Sequence, residues 1–339
     1  MTSKPQLRRL DCMSELHPIS HVGILVEDLE QASRRWAAVL GSPVSPVFRY
    51  RAFGWSDADN PVPHTVDLRQ VISYCTGAWF QILEYAPTTV HGSRNAEGAH
   101  HLGFAAVSDG AARGRKLIQL GFSVTAGSEQ NGHRLIQFTE PNDLGGVLTE
   151  WVEASPLHLN LKDDGKPLDR LADGSASVFG HTIVDAAERQ PSGLDEVGII
   201  VDALETSIAA WASITGDAFV LNPEGTSAVS STISPRIRLV ARTGSATPGI
   251  AYVALLCGDA AAKRAELKAR NVPLRPSDDA VVEVIPDFLN GFPVLFRAGE
   301  ACDGVAVAGH RRWKMKPVTK IDGKASARSC LENRRKHDW

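Results

Sequence analysis

Two histidines 80 positions apart, His21 in "HVGILV" and His101 in "HLGFAA", occupy the same place in two copies of one pattern. Gln81 in "WFQILEY" and Glu150 in "VLTEWVE" are likewise polar residues set into apolar, strand-like runs. A polar group buried without a partner costs ~1–3 kcal/mol, and an unpaired charge costs more. Four such groups converging on one point would satisfy each other through a cation. Two imidazoles, one amide oxygen and one carboxylate form an N/O ligand set for a divalent metal: Co, Mn, Ni, Zn, Mg or Fe.

The elements that must bring them together are legible as a repeat. "ISHVGILVEDLEQASRRWAAVLG" (19–41) recurs as "AHHLGFAAVSDGAARGRKLIQLGF" (99–122), as "LDEVGIIVDALETSIAAWASITG" (194–216) and, more weakly, as "GIAYVALLCGDAAAKRAELKARNVPL" (249–274). Each copy is a short apolar strand, a turn or acidic residue, then a helix. In the first, Asp28 with Gln31 three residues on is an N-terminal capping pattern. Leu29, Ala32, Trp36 and Leu40 share a helical face, and Gly41 is placed to end the helix. Alternating runs such as "TVDLRQVISYC", "AWFQILEYAP", "HRLIQFTEP" and "GGVLTEWVE" complete β-α-β-β-β units. Strand alternation turns Val22, Ile24 and Val26 toward the helix and His21, Gly23 and Leu25 the other way. By the same rule His101 and Gly103 oppose Leu102 and Phe104, so both histidines face one shared cup. The expected organisation is α+β, with units in two pairs: residues 1–155 metal-binding, 156–189 a polar connection, 190–310 a second pair, and 311–339 a basic tail.

On the stretches "HVGILVEDLEQA", "FQILEYAP", "HHLGFAAVSD" and "GHRLIQFTEPNDLGGVLTEW", residues 18–152 resemble the vicinal oxygen chelate superfamily, and within it methylmalonyl-CoA epimerase. The resemblance implies tandem domains, each of two paired βαβββ modules forming a cupped sheet. It places the metal on His21, Gln81, His101 and Glu150, and makes Glu150 both ligand and candidate acid/base. A second carboxylate is implied on the strand "HTVDLRQVISYC", where Asp67 is the available residue. The second half is similar in shape only: Glu196, Arg238, Ala251 and Arg297 stand against the ligand positions, and guanidinium groups repel a cation. A degenerate, metal-free pair is therefore expected there, unlike four-unit dioxygenases of the superfamily, whose metal sits in the C-terminal pair.

A cation beside a labile C–H bond stabilises an enolate, so the expected reaction is isomerisation or epimerisation of an acyl thioester, keto or carboxylic acid. The alternatives are an Fe(II) ring-cleaving dioxygenase built on His21, His101 and Glu150, and a non-catalytic ligand-binding protein of resistance type. Arg134 is a candidate for holding a substrate carboxylate, and the 16-residue stretch "RYRAFGWSDADNPVPH" (49–64) reads as a long loop able to cover the cup. Trp79 and Trp151 read as packing residues. A formal net charge of −3 offers no general attraction to nucleic acid or membrane, although 311–339 alone carries ten Lys/Arg against three Asp/Glu. Five scattered cysteines without a C-x-x-C pair, no apolar leader and no run of ~18–20 apolar residues point to a cytoplasmic protein acting on a small molecule, compatible with a homodimer.

Overall fold

A computed structural model describes residues 15–73, 78–86, 89–92, 97–155, 157–166, 177–178, 181–182 and 193–299. The basic tail at 311–339 and most of the 156–189 connection lie outside the described residues. In chain order the first half runs β1 (Ile19–Val26), α1 (Leu29–Leu40), β2 (Phe48–Ser56), β3 (His64–Ser73), β4 (Trp79–Glu84), β5 (Gly98–Phe104), α2 (Gly110–Gln119), β6 (Val124–Gln130), β7 (His133–Thr139), β8 (Leu148–Val152) and β9 (Leu159–Lys162). After the two-residue strands β10 (Ser177–Val178) and β11 (His181–Thr182) come β12 (Leu194–Val201), α3 (Leu204–Thr215), β13 (Phe219–Leu221), β14 (Ser227–Ser230), β15 (Arg236–Ala241), β16 (Gly249–Cys257), α4 (Ala260–Ala269), β17 (Val281–Glu283) and β18 (Val294–Ala298). Three units are β-α-β-β-β; the fourth is one strand short among the described residues. This is the α+β, tandem vicinal oxygen chelate architecture.

The helices form where the sequence provides both ends and a face. Asp28 accepts a hydrogen bond from the Gln31 amide at 2.8 Å, and Gly41 closes α1 in the left-handed region at φ 77°. Leu29, Ala32, Trp36 and Leu40 are buried against Val22, Ile24 and Val26 in one apolar cluster. That cluster also takes in Val197, Ile199 and Trp211 of the second half, with the Trp36 and Phe292 rings 5.9 Å apart between centroids. The core therefore lies on the helix-covered faces of both sheets, which leaves the opposite faces to form cups.

The first sheet has the order β3-β4-β1-β5-β8-β7-β6-β2-β9, and β2 also pairs with β3. Pairing of Trp55 with Ser128 and Ser56 with Gly127 joins β2 to β6, so the strands close on themselves around a second cluster that includes Leu25, Tyr50, Leu68, Leu83, Ile136 and Phe138. The second sheet, β13-β14-β15-β12-β16-β18-β17, stays open. The stretch 49–64 is not the expected loop, because Phe48–Ser56 is a nine-residue strand paired with β3. A register shift between Ala52 and Trp55, with Gly54 at φ 60°, breaks the alternation that would have marked it.

Two irregularities recur in both halves. β1 and β5 slip in register between Ile19 and His21 and between Gly23 and Ile24, which bulges out Ser20 and His100. β12 and β16 slip at the matching points, which bulges out Asp195 and Ala251. A bulge lets consecutive residues turn to one face, so His100 and His101 both reach the cup side. No helix of the described residues is long and apolar enough to cross a membrane.

Candidate metal centre

Four adjacent strands deliver the four predicted side chains. Gly23 lies beside Gln81 on one side and His101 on the other, while Gly103 faces His21 and neighbours Glu150. A β-carbon on Gly23 would overlap the His101 ring, and one on Gly103 would overlap the His21 ring. The two glycines are thus reciprocal seats: each makes room for the imidazole of the opposite strand.

Within this cradle His21 Nε2 lies 2.7 Å from Glu150 Oε2 and 3.2 Å from His101 Nε2. His101 Nε2 is 3.1 Å from Gln81 Oε1 and 3.5 Å from Glu150 Oε2. Ligands about 2.1 Å from a metal are about 3.0 Å apart at octahedral angles and about 3.4 Å apart at tetrahedral ones, so this spacing fits one cation. All four side chains are buried, and His21, His101 and Glu150 form a three-residue group able to hold a metal. Burial pushes the Glu150 carboxyl up, but hydrogen bonds and charge from His101 and His21 more than reverse this and hold it below the usual carboxylate range. Burial likewise holds His21 below its ordinary value, against the pull of Glu150. A deprotonated carboxylate and a neutral imidazole are the ligand forms a metal requires.

Neither Asp67 nor Arg134 joins this cluster. Asp67 alternates with the inward-facing Val66 and Leu68 and grips Arg51 through bonds of 2.7 and 2.8 Å; that partner lowers its pKa. Arg134 lines a shallow depression with Ala111, Gly114 and Arg115 of α2. The side chain that β3 contributes near Gln81 is instead Gln70, whose Oε1 accepts from Gln81 Nε2 at 2.6 Å. Trp79, expected as packing, stacks on His21 with centroids 4.3 Å apart and planes 20° from parallel. Trp151 does pack, stacked on Phe104 at 4.3 Å. The doublet His100–His101 was the visible sign of a histidine-rich surround. His100 Nδ1 lies 2.9 Å from His101 Nδ1, and His91 is buried beside them with its pKa lowered, chiefly by burial, to about 3. A cavity of ≈ 570 Å³ reaches this group at His100, Val90 and Leu148, and Asp57, Asp59, Glu97 and Glu140 supply its charge, with no Lys or Arg among its described lining residues.

The matching position of the second sheet is filled differently. Register places Glu196 opposite Ala254 and Gly198 opposite Tyr252, with Arg238 beside Gly198 and Leu295 beside Ala254. The bulge at Ala251 means that Tyr252, not Ala251, stands where His101 stands, and the unbroken β16–β18 register puts Leu295, not Arg297, where Glu150 stands. The Tyr252 ring fills the space over Gly198. Glu196 accepts from Arg238 Nε and Nη2, each at 2.9 Å, and from the Tyr252 hydroxyl at 2.8 Å. Arg297 reaches across to Asp195 and to Glu196 at 3.4 Å.

No family model and no curated protein matches this sequence. The fold does match solved structures. A mutant 4-hydroxymandelate synthase from Streptomyces coelicolor aligns with TM-score 0.52 at 13% identity over 83% of this chain and 93% of that one. The 2,3-dioxygenase LapB from Pseudomonas sp. KL28 gives 0.50 at 13% identity over 85% and 94%. A xylose isomerase-like TIM barrel/4-hydroxyphenylpyruvate dioxygenase fusion protein gives 0.50 at 15% identity over 85% of this chain; the chain spans 49% of that protein. These similarities establish the vicinal oxygen chelate-type fold.

Proposed function

We propose that the protein is a divalent-metal-dependent enzyme whose first-half cup binds a small substrate through two neighbouring oxygens, for isomerase or lyase chemistry at the adjacent carbon. The carrying observation is the convergence of His21, Gln81, His101 and Glu150. A bound divalent cation would supply Lewis acidity toward developing negative charge on a substrate oxygen. Four protein ligands leave two of six octahedral positions, enough for a bidentate substrate.

Glu150 is the carboxylate that the described residues bring to this point, so it is the group assigned to take a proton on one face of the carbon. Epimerisation requires a second base on the opposite face. Asp67 faces away, and the Gln70 amide is no base. The chemistry proposed is therefore one-faced proton transfer or elimination, in place of strict epimerisation.

A second reading has its own support. His21, His101 and Glu150 alone form a two-histidine, one-carboxylate triad, the ligand set of non-haem iron oxygenases, and the fold neighbours include proteins named as dioxygenases. Gln81 discriminates: with it bound, no position is left for oxygen beside a bidentate substrate. The test is solvent deuterium incorporation into α-hydroxy-carbonyl and keto acid probes by metal-loaded protein, run beside Fe(II)-dependent oxygen consumption with catechols. Deuterium uptake abolished by Glu150→Gln supports the first reading. Oxygen uptake that survives Gln81→Ala, without deuterium exchange, replaces it with the second.

A further inference from the structure

We infer that two hydrogen-bond chains ending on backbone carbonyls, Val90 O–His100–His101 and Phe104 O–Ser20–His21, fix the tautomers of both imidazoles so that each directs its Nε2 lone pair into the cup. The inference rests on the metal-centre reading above and assigns His100 and Ser20 as positioning residues. Because a carbonyl only accepts, the direction of each chain can be deduced. His100 Nε2 lies 3.0 Å from Val90 O, so that nitrogen carries the hydrogen. A neutral His100 then presents an acceptor at Nδ1. The 2.9 Å contact with His101 Nδ1 needs one hydrogen, which must sit on His101 Nδ1.

The second chain follows the same rule. The Ser20 hydroxyl donates to Phe104 O at 3.0 Å, which spends its one hydrogen. Its oxygen therefore accepts from His21 Nδ1 at 2.9 Å. In the form able to take a cation both rings are then Nδ1–H tautomers, and the cation would stand in place of the hydrogens that Nε2 otherwise offers to Glu150 and Gln81. Such outer partners fix ring orientation and raise ligand basicity in metal sites. The two bulged residues, Ser20 and His100, are the ones that do this work, which gives the irregular register a chemical purpose.

The trio His91, His100 and His101 could itself hold a metal, but only at the expense of the His100–His101 bond, since both Nδ1 atoms are committed to it. A single cation at the Nε2 face leaves the His100–His101 bond and both carbonyl-anchored chains intact.

The test is titration of the apo full-length chain with cobalt(II) chloride, following heat and the visible d–d spectrum, for wild type, His100→Leu, His100→Asn and Ser20→Ala. His100→Leu should weaken Co(II) binding about 10–100-fold and shift the d–d bands. Asn can place a carbonyl oxygen where Nδ1 stood, so His100→Asn should restore affinity to within a few fold. Ser20→Ala should weaken binding in the same direction. Long-range ¹H–¹⁵N correlation on histidine-labelled, zinc-loaded wild type should show both His21 and His101 bound through Nε2, and this arm stands even if a variant fails to fold. Coordination through Nδ1, wild-type affinity in His100→Leu, or two cobalt ions per chain would overturn the inference. A wild type that binds no cobalt would instead refute the metal-centre reading on which it rests.

Discussion

The two cups use one backbone device for opposite ends. In each, a glycine on the first strand of the unit pair makes room for a ring on the antiparallel neighbour: Gly23 for His101 and Gly198 for Tyr252. Each cup also buries a carboxylate, Glu150 in one and Glu196 in the other. In the first cup the side chains around the carboxylate are two imidazoles and an amide, with no Lys or Arg among them, and on the proposed reading the cation comes from outside. In the second, Arg238 grips Glu196 through two bonds of 2.9 Å and supplies the cation permanently. Burial pushes the Glu196 carboxyl up, but Arg238 and Tyr252 outweigh it and leave the pKa lowered. On the proposed reading, the difference between a binding centre and a structural knot is a few side chains on the same frame: an exchangeable charge against a covalently tethered one.

Substitutions can separate the two. Glu150→Ala removes the sole formal charge among the four converging groups, and metal affinity should fall by more than the 10–100-fold that loss of an outer partner costs. Glu196→Ala should leave cobalt affinity unchanged, as calorimetry on both variants would show. Next in size, Ala at Gly23 or Gly103 should displace a ligand imidazole and weaken cobalt binding about tenfold or more; the same change at Gly198 should leave the metal alone and cost about 1–3 kcal/mol as overpacking. Glu196→Gln should destabilise the second sheet by about 2 kcal/mol in urea unfolding. That figure is below the 3–5 kcal/mol of a fully buried pair because the arginines are partly exposed.

A further difference concerns acid. Burial, with Arg113 adding to it, lowers His17 to about 4, and burial chiefly lowers His91 to about 3. Both folded-state values lie below the ordinary 6.5. Between these values and 6.5 the unfolded chain binds more protons, so stability present above pH 6.5 drains away as pH falls toward 4 and 3. Residues 193–299 contain no histidine. Hydrogen exchange of apo protein at pH 5 should therefore show the first sheet opening more than at pH 7, with the second sheet little altered.

Much of this contrast was legible in the sequence. Repetition and strand alternation put His21, Gln81, His101 and Glu150 on cup-facing positions, and the structure brings those four side chains together. In the second half Arg238, Arg297 and Ala251 were the residues that argued against a cation, and of the three Arg238 holds the position assigned to it. Register was the weak point. Bulges at Ser20, His100, Asp195 and Ala251 add a residue on one strand only, and counting through them assigns Ala251 to the place held by Tyr252; Arg297 was placed two residues away from Leu295, which pairing with Ala254 puts there. The same cause hid β2 inside a supposed loop, since Gly54 and a register shift scramble its pattern. The positioning roles of Ser20 and His100 were invisible for a different reason: they depend on which carbonyl each side chain meets, and those carbonyls lie 84 and 10 residues away.

The central claim is that the first cup, and not the second, holds one exchangeable divalent cation. The most direct measurement is metal stoichiometry by elemental analysis after the apo chain is loaded with cobalt and desalted, in wild type, Glu150→Ala and Glu196→Ala. One cobalt per chain in wild type and Glu196→Ala, with none in Glu150→Ala, is the result predicted. No retained metal in wild type, or a full equivalent in Glu150→Ala, would contradict it.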